Sequence, residues 1–150
     1  MINCIIVDDE QHSIDILTHH ITQTDYLNLV LATTKATEAL QLINSGKADL
    51  LFQDVQMPDI SGIEVVQAIN GKCKVILTTA YEKYALDGYD LNVVDFLLKP
   101  ISFPRFIKAV QKAVDVIVTN REISKPQPGA DFIYVKTGTK NKSESGLRKT

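Results

Sequence analysis

Several things are scarce in this chain of 150 residues. It has two cysteines, Cys4 and Cys73, in no metal-binding or redox spacing, so two reduced thiols in a cytoplasmic protein are expected and a disulfide is the minor reading. No apolar run approaches the ~18 residues of a membrane span. No signal-peptide pattern opens the chain, so no membrane association is expected. The net charge of -2 leaves no whole-chain basic signature for nucleic acid or an anionic surface. No Gly-rich phosphate loop follows the first apolar run, which argues against a flavin or nucleotide binder. There are no internal repeats. What remains is an ordinary globular balance, 45% hydrophobic and 23% charged, in a length that fits one domain and a little more.

Short apolar runs alternate with helical patterns five times. Strands are expected at Ile2–Val7, Asn28–Thr33, Asp49–Gln53, Lys74–Thr78 and Val93–Leu98. Several are nearly continuous in Val, Ile and Leu, as in a parallel sheet covered on both faces. Helical spacing marks Ile14, Leu17 and Ile21, then Ala36, Ala39, Leu40 and Ile43. A third helix opens on Ser61 and Glu64, a capping-box pair, and carries Val65, Val66 and Ile69. A short fourth is expected near Lys83–Tyr89. The last repeats Phe106, Val110, Ala113, Val114 and Ile117, with Ser102 as cap and Pro104 in the first turn. Five such units imply an α/β, doubly wound (βα)5 sandwich, with ligands at the carboxyl ends of its strands. Past Asn120 the apolar period stops. Residues 121–130 read as a linker, and 131–150 as one strand, "FIYVKTG", with a polar basic tail, either the opening of a further domain or a disordered tail.

The stretch "LFQDVQMPDISG" (51–62) ends an apolar run on a lone acid, Asp54, which needs a charged partner if buried. Asp8 and Asp9, Thr79 with Ala80, and Lys99 with Pro100 all lie just past strand ends, so four segments deliver polar groups to one rim. Three clustered carboxylates repel, by about 4 kcal/mol per pair at 4 Å and an effective dielectric near 20. Mg²⁺ suits such a cluster, because it takes a few carboxylate oxygens, keeps waters and binds a phosphate at the same time. Lys99 adds a positive charge and Thr79 a hydroxyl, so a phosphoryl group seated there could be attacked in line by Asp54.

Asp8-Asp9, Asp54 with "MPDISG", Thr79-Ala80 and Lys99-Pro100, in this order, resemble the receiver domain of a two-component response regulator over residues 1–120. The resemblance implies a flavodoxin-like sheet of five parallel strands in the order 2-1-3-4-5. It implies Asp54 as phosphoacceptor, with Mg²⁺ held by Asp9 and Asp54, by Asp8 mainly through water, and by the backbone carbonyl of Gln56. Thr79 and Lys99 would contact the phosphoryl group, Phe96 would be an aromatic switch residue, and the Lys99–Pro100 bond would be cis. Gln56 and Tyr81 would tune loss of the phosphoryl group. The stretch "TTAYEKYALDGYDLNVVDFLLKPIS" is similar to receivers that precede a LytTR-type DNA-binding domain, and "DFIYVKTGTK" resembles that domain's first strand. The implied partners are a sensor histidine kinase, a second copy on phosphorylation, and DNA only through an output domain incomplete within these residues. Chemistry would be limited to self-catalysed phosphotransfer and dephosphorylation.

Other readings compete. A haloacid-dehalogenase-type phosphatase uses an acid two residues after its nucleophile, where this chain has Gln56. A receiver-like module acting without phosphorylation, through protein contacts, is the alternative from another class. His12, His19 and His20 read as solvated helix residues. Gln53 departs from the pattern, since strand alternation turns that position into the helix layer, where an amide needs hydrogen-bond partners.

Overall fold

The computed structural model describes residues 1–83 and 91–124. Five strands, β1 (Ile2–Val7), β2 (Leu27–Thr33), β3 (Leu50–Asp54), β4 (Lys74–Thr79) and β5 (Asp95–Leu98), form one sheet in the order β2-β1-β3-β4-β5, every pairing parallel. The described helices are α1 (Gln11–Thr22), α2 (Ala36–Asn44), α3 (Gly62–Ile69) and α4 (Phe103–Ser124). The short helix expected near Lys83–Tyr89 lies, beyond Lys83, outside the described residues, as do residues 125–150. Residues Met1–Val118 make one compact unit; the rest of α4 falls in a second, Thr119–Thr150.

The sheet is covered on both faces because its strands are apolar at odd and even positions alike. Cys4 and Ile6 of β1, Leu50 and Phe52 of β3, Ile76 of β4 and Leu97 of β5 pack with Ile14, Leu17 and Ile21 of α1 and with Phe106, Ala109, Val110, Ala113 and Ile117 of α4. The intervening residues Ile5, Val7, Leu51, Val75 and Leu77 pack with Ala36, Ala39 and Ile43 of α2 and Val65, Val66 and Ile69 of α3. Phe52 and Phe106 stack at 5.4 Å across the first of these cores. Each fully buried side chain of this size contributes about 1.5–3 kcal/mol.

Caps set the helix starts. Ser61 Oγ accepts from Glu64 N at 3.2 Å and Glu64 Oε1 accepts from Ser61 N at 3.0 Å, closing the capping box at α3. Ser102 Oγ accepts from Arg105 N at 3.3 Å at the start of α4. Arg105 also clamps β5, donating to both Asp95 oxygens at 2.9 and 3.0 Å and to the Phe96 carbonyl at 3.1 Å, while Lys112 reaches Asp95 at 3.1 Å. Burial pushes the Asp95 carboxyl up, but these donors outweigh it and hold the group below the usual carboxylate range.

Strand ends, the end of the last helix and His20 differ from the sequence reading, whereas the free cysteines agree with it. Asp54 and Thr79 are the last residues of their strands, because Asp54 pairs with Thr78 and Thr79 with Leu98. The helix α4 runs through Arg121–Ser124, which the reading placed in the linker. His20 is buried, unlike the exposed His12 and His19. It sits on the same face of α1 as Leu17 and Ile21, donates from Nε2 to the Ile101 carbonyl at 2.8 Å, and packs against Phe103 and Phe106. Cys4 and Cys73 are both free and buried. Cys4 lies on β1 and Cys73 just before β4, with β3 between them, so their backbones stand about 9–10 Å apart across the sheet, beyond disulfide reach. Burial pushes both thiols up to about 12, which leaves them unreactive.

Candidate functional site

Parallel strands send their carboxyl ends to one edge, and the two central ones carry the acids there. The ladders overrun the strand ends and fix the residues that follow: Asp8 N donates to Thr33 O at 3.1 Å, Val55 N to Thr78 O at 2.9 Å, and Lys99 N to Thr79 O at 2.7 Å. Asp8, Asp9, Asp54 and Lys99 are thereby brought together. The three acids each offer an oxygen within 4.8 Å of the others. Lys99 Nζ stands 2.8 Å from Asp8 Oδ2, 3.4 Å from Glu10 Oε1 and 3.5 Å from Asp54 Oδ1.

Burial makes this charge cluster costly. Asp8 is fully buried and the side chains of Asp54 and Lys99 are 7% and 14% exposed, while Asp9 is exposed. Desolvation, and then the negative charge of Asp8, push the Asp54 carboxyl from 3.8 up to about 7, with Lys99 opposing and Asp9 adding to the rise. Burial lowers the Lys99 ammonium, but its carboxylate neighbours, Asp8 first, outweigh burial and hold it above its ordinary value. One ammonium does not balance this many acids. Asp8 Oδ1 accepts from Glu10 N at 2.9 Å, and the buried Asp8 Oδ2 has, among the described residues, the ion pair with Lys99 at 2.8 Å. The three carboxylates form a hard oxygen donor set, short of positive charge, that fits a small divalent cation.

Beside the acids lies a cavity of about 620 Å³, lined by Asp9, Glu10, Asp54, Gln56, Met57, Thr79, Ala80, Tyr81 and Lys99 among others. Thr79, rather than the equally buried Thr78, lines it, and its Oγ1 accepts from Tyr81 N at 3.0 Å, which leaves the hydroxyl proton available to donate elsewhere. Tyr81 is 52% exposed at the cavity mouth. The Lys99–Pro100 peptide bond is cis. Phe96 is not part of the lining; it is half-buried on the α2–α3 face, two residues along β5 from the position paired with Thr79.

Three neighbours of the site were not singled out for it by sequence. Glu10 joins the Lys99 ion pairs, and its signal was the third acid of "DDE". Gly62 presses on the backbone of β3: a Cβ there would lie 2.4 Å from the Asp54 carbonyl oxygen. Gln53 donates from Nε2 to that same oxygen at 3.0 Å. The need of Gln53 for a partner is visible in the sequence but the partner is not, and the Gly62 contact has no signal there.

A model of the response regulator receiver domain matches residues 4–111. An uncharacterized response regulatory protein of Vibrio cholerae is 34% identical over 114 residues, 75% of this chain and 48% of that protein. The transcriptional regulatory protein BtsR of Salmonella typhi is 32% identical over the same shares. The sensory transduction protein LytT of Bacillus anthracis is 27% identical over 87% of this chain and 54% of that protein. The chain thus spans about half the length of the relatives it matches. Among solved structures, the response regulator TrrA of Thermotoga maritima, in complex with Mg(2+)-BeF, is 32% identical, with a TM-score of 0.65 over 75% of this chain and 99% of that one. The response regulatory domain of mrkE from Klebsiella pneumoniae is 25% identical, with a TM-score of 0.70 over 79% and 99%. Sheet order, acid cluster and these matches agree: the chain belongs to the response regulator receiver domain family, a signalling fold rather than a classical enzyme family.

Proposed function

We propose that this domain takes a phosphoryl group from a sensor histidine kinase onto Asp54 and uses it to switch an output. The observation that carries this is the Asp8–Asp9–Asp54 cluster facing one lysine beside an open cavity. Asp8, Asp9, Asp54 and the Gln56 carbonyl would hold Mg²⁺, which when bound neutralises the carboxylates and the phosphoryl oxygens. An Asp54 oxygen then attacks phosphorus in line, the P–O bond forms as the P–N bond to the kinase imidazole breaks, and the imidazole departs. Lys99 and the Thr79 hydroxyl donate to the transferred oxygens. A radiolabelled kinase should label the protein in Mg²⁺, with none in EDTA and none on Asp54→Ala; label persisting on Asp54→Ala would sink the reading.

The engaged phosphoryl oxygens would draw Thr79 inward and Phe96 toward the vacated space, biasing a two-state surface on β5, α4 and the 83–89 segment. Beryllofluoride with Mg²⁺ should move the backbone amides of Thr79 and of residues 91–100, and unmoved amides would count against the switch. Gln56 and Tyr81, each two residues past a site residue, would flank an attacking water. Tyr81, large and at the mouth, would shield the acyl phosphate. Tyr81→Gly should shorten the phosphoryl half-life several-fold, measured as loss of label.

The output is proposed to be transcription, through a LytTR-type DNA-binding domain joined after residues 121–130 and begun at 131–150. Support comes from the LytT match and from relatives of which the match covers about half the length. Dimerisation on phosphorylation and a cytoplasmic location go with this reading; among the described residues no helix is long and apolar enough to cross a membrane.

A further inference from the structure

The residue before Asp54 carries an amide where its neighbours on the same face are apolar. Gln53 is wholly buried, pairs with Val7 and Leu77 in the ladder, and lies between Leu51 and Val55 in the core covered by α2 and α3. Its Nε2 donates to the Asp54 carbonyl at 3.0 Å, and its Oε1 has no hydrogen-bond partner among the described residues. The amide cannot be turned over, because Oε1 would then face the carbonyl oxygen at that distance with no proton between them. A buried oxygen without a donor weakens a fold; an unbranched apolar side chain of the same length would remove Oε1 but also take the Nε2 donor from the Asp54 carbonyl, so the exchange brings no clear gain or loss. Stability therefore does not account for Gln53.

Its partner does. The peptide between Asp54 and Val55 is held at three points: Gln53 on its oxygen, Thr78 O accepting from Val55 N at 2.9 Å, and Gly62 packed against the same oxygen. That peptide is the exit of the chain from β3, two residues before the Gln56 carbonyl. We infer that Gln53 is a positioning residue, whose N–H on the Asp54 carbonyl fixes this peptide plane and so aligns the Asp54 carboxylate with the turn that carries Gln56. The inference rests on the reading of Asp54 as phosphoacceptor.

The test compares wild type with Gln53→Met and Gln53→Leu in three measurements. These are the thermal midpoint, the amide shifts of Val55 and Gln56, and Mg²⁺ affinity with the rate of labelling by acetyl phosphate, a small acyl phosphate. Expected are a midpoint within about 4 °C of wild type, displaced amides, and an affinity or rate lowered about tenfold or more. Variants that keep affinity, rate and amide shifts would overturn the inference, as would variants that lose much more stability than this or fail to fold, because Gln53 would then be a structural residue. If wild type takes up neither Mg²⁺ nor label, the phosphoacceptor reading fails by itself. The amide shifts then still decide whether Gln53 orients the peptide.

Discussion

Asp54→Asn is expected to raise the thermal midpoint in metal-free buffer at pH 8 by about 5–10 °C. The Asp54 carboxyl is ordinarily ionised above 3.8, whereas in the fold it holds its proton up to about 7, because burial and then Asp8 oppose its charge. Between those values the folded state binds more protons than the unfolded one, so this group makes stability fall as pH rises through the window. The penalty is absent below about pH 4 and complete above about pH 7. Unscreened, it would be roughly 4 kcal/mol; the carboxylate borders an open cavity, so about half, ~2 kcal/mol, is the expected gain from the neutral amide. Melting curves from pH 4 to pH 8 check this, since the difference between variant and wild type should grow across the window. A difference independent of pH would mean that the substituted amide packs better for reasons unrelated to charge. Millimolar Mg²⁺ should raise the wild type at pH 8 and leave the variant nearly unmoved, because the cation relieves the same repulsion. A site that repels itself until occupied is one tuned for binding rather than for stability.

That tension is partly legible in the sequence. The β1 and β4 runs "INCIIV" and "KVILTT" are apolar at both odd and even positions, which only a sheet covered on two faces tolerates, and with the alternating helices they imply the architecture. Ser61 and Glu64 announce α3 because capping is local chemistry written within four residues. The acids and Lys99 are legible as a group because parallel connections bring every strand's carboxyl end to one edge, whatever the intervening sequence. What stays hidden depends on the third dimension. His20 reads as one of two adjacent polar residues on a helix; only the packing of α1 against α4 and the Ile101 carbonyl makes it a buried donor. Gln53 is visible as an anomaly, but its hydrogen bond to the very next residue's carbonyl depends on a side-chain rotamer, about which strand periodicity is silent. Gly62 looks like the unremarkable end of "DISG", since a close approach leaves no trace in a residue's own chemistry.

Gly62→Ala tests that approach, and its expected effect is as large as any single methyl group should have here. The added Cβ would fall 2.4 Å from the Asp54 carbonyl oxygen, 2.8 Å from Val55 Cα and 3.1 Å from the Asp54 carbonyl carbon. All three are backbone atoms of the strand end and the turn that follows it, so no flexible side chain can swing aside. Either α3 lifts from the sheet or the Asp54–Val55 peptide rotates. Lifting α3 strains the Gly62 N–H to Val55 O bond, 2.8 Å long, and the packing of Val65, Val66 and Ile69, which are buried beneath the helix. Rotation of the peptide breaks the Gln53 and Thr78 hydrogen bonds and swings the Asp54 carboxylate away from Asp8 and Lys99. Overpacking of this kind costs about 1–3 kcal/mol, of which the better helix propensity of Ala returns well under 1 kcal/mol in the first turn. The midpoint should therefore fall by about 4–8 °C. The two routes separate by binding: a lifted helix leaves Mg²⁺ affinity near wild type, whereas a rotated peptide lowers it tenfold or more. The second is expected, because the peptide is held by two hydrogen bonds and the helix by a capping box, three buried aliphatic side chains and its own bond to Val55. An unchanged midpoint together with unchanged affinity would show that α3 yields without resistance and that glycine is not required against the strand.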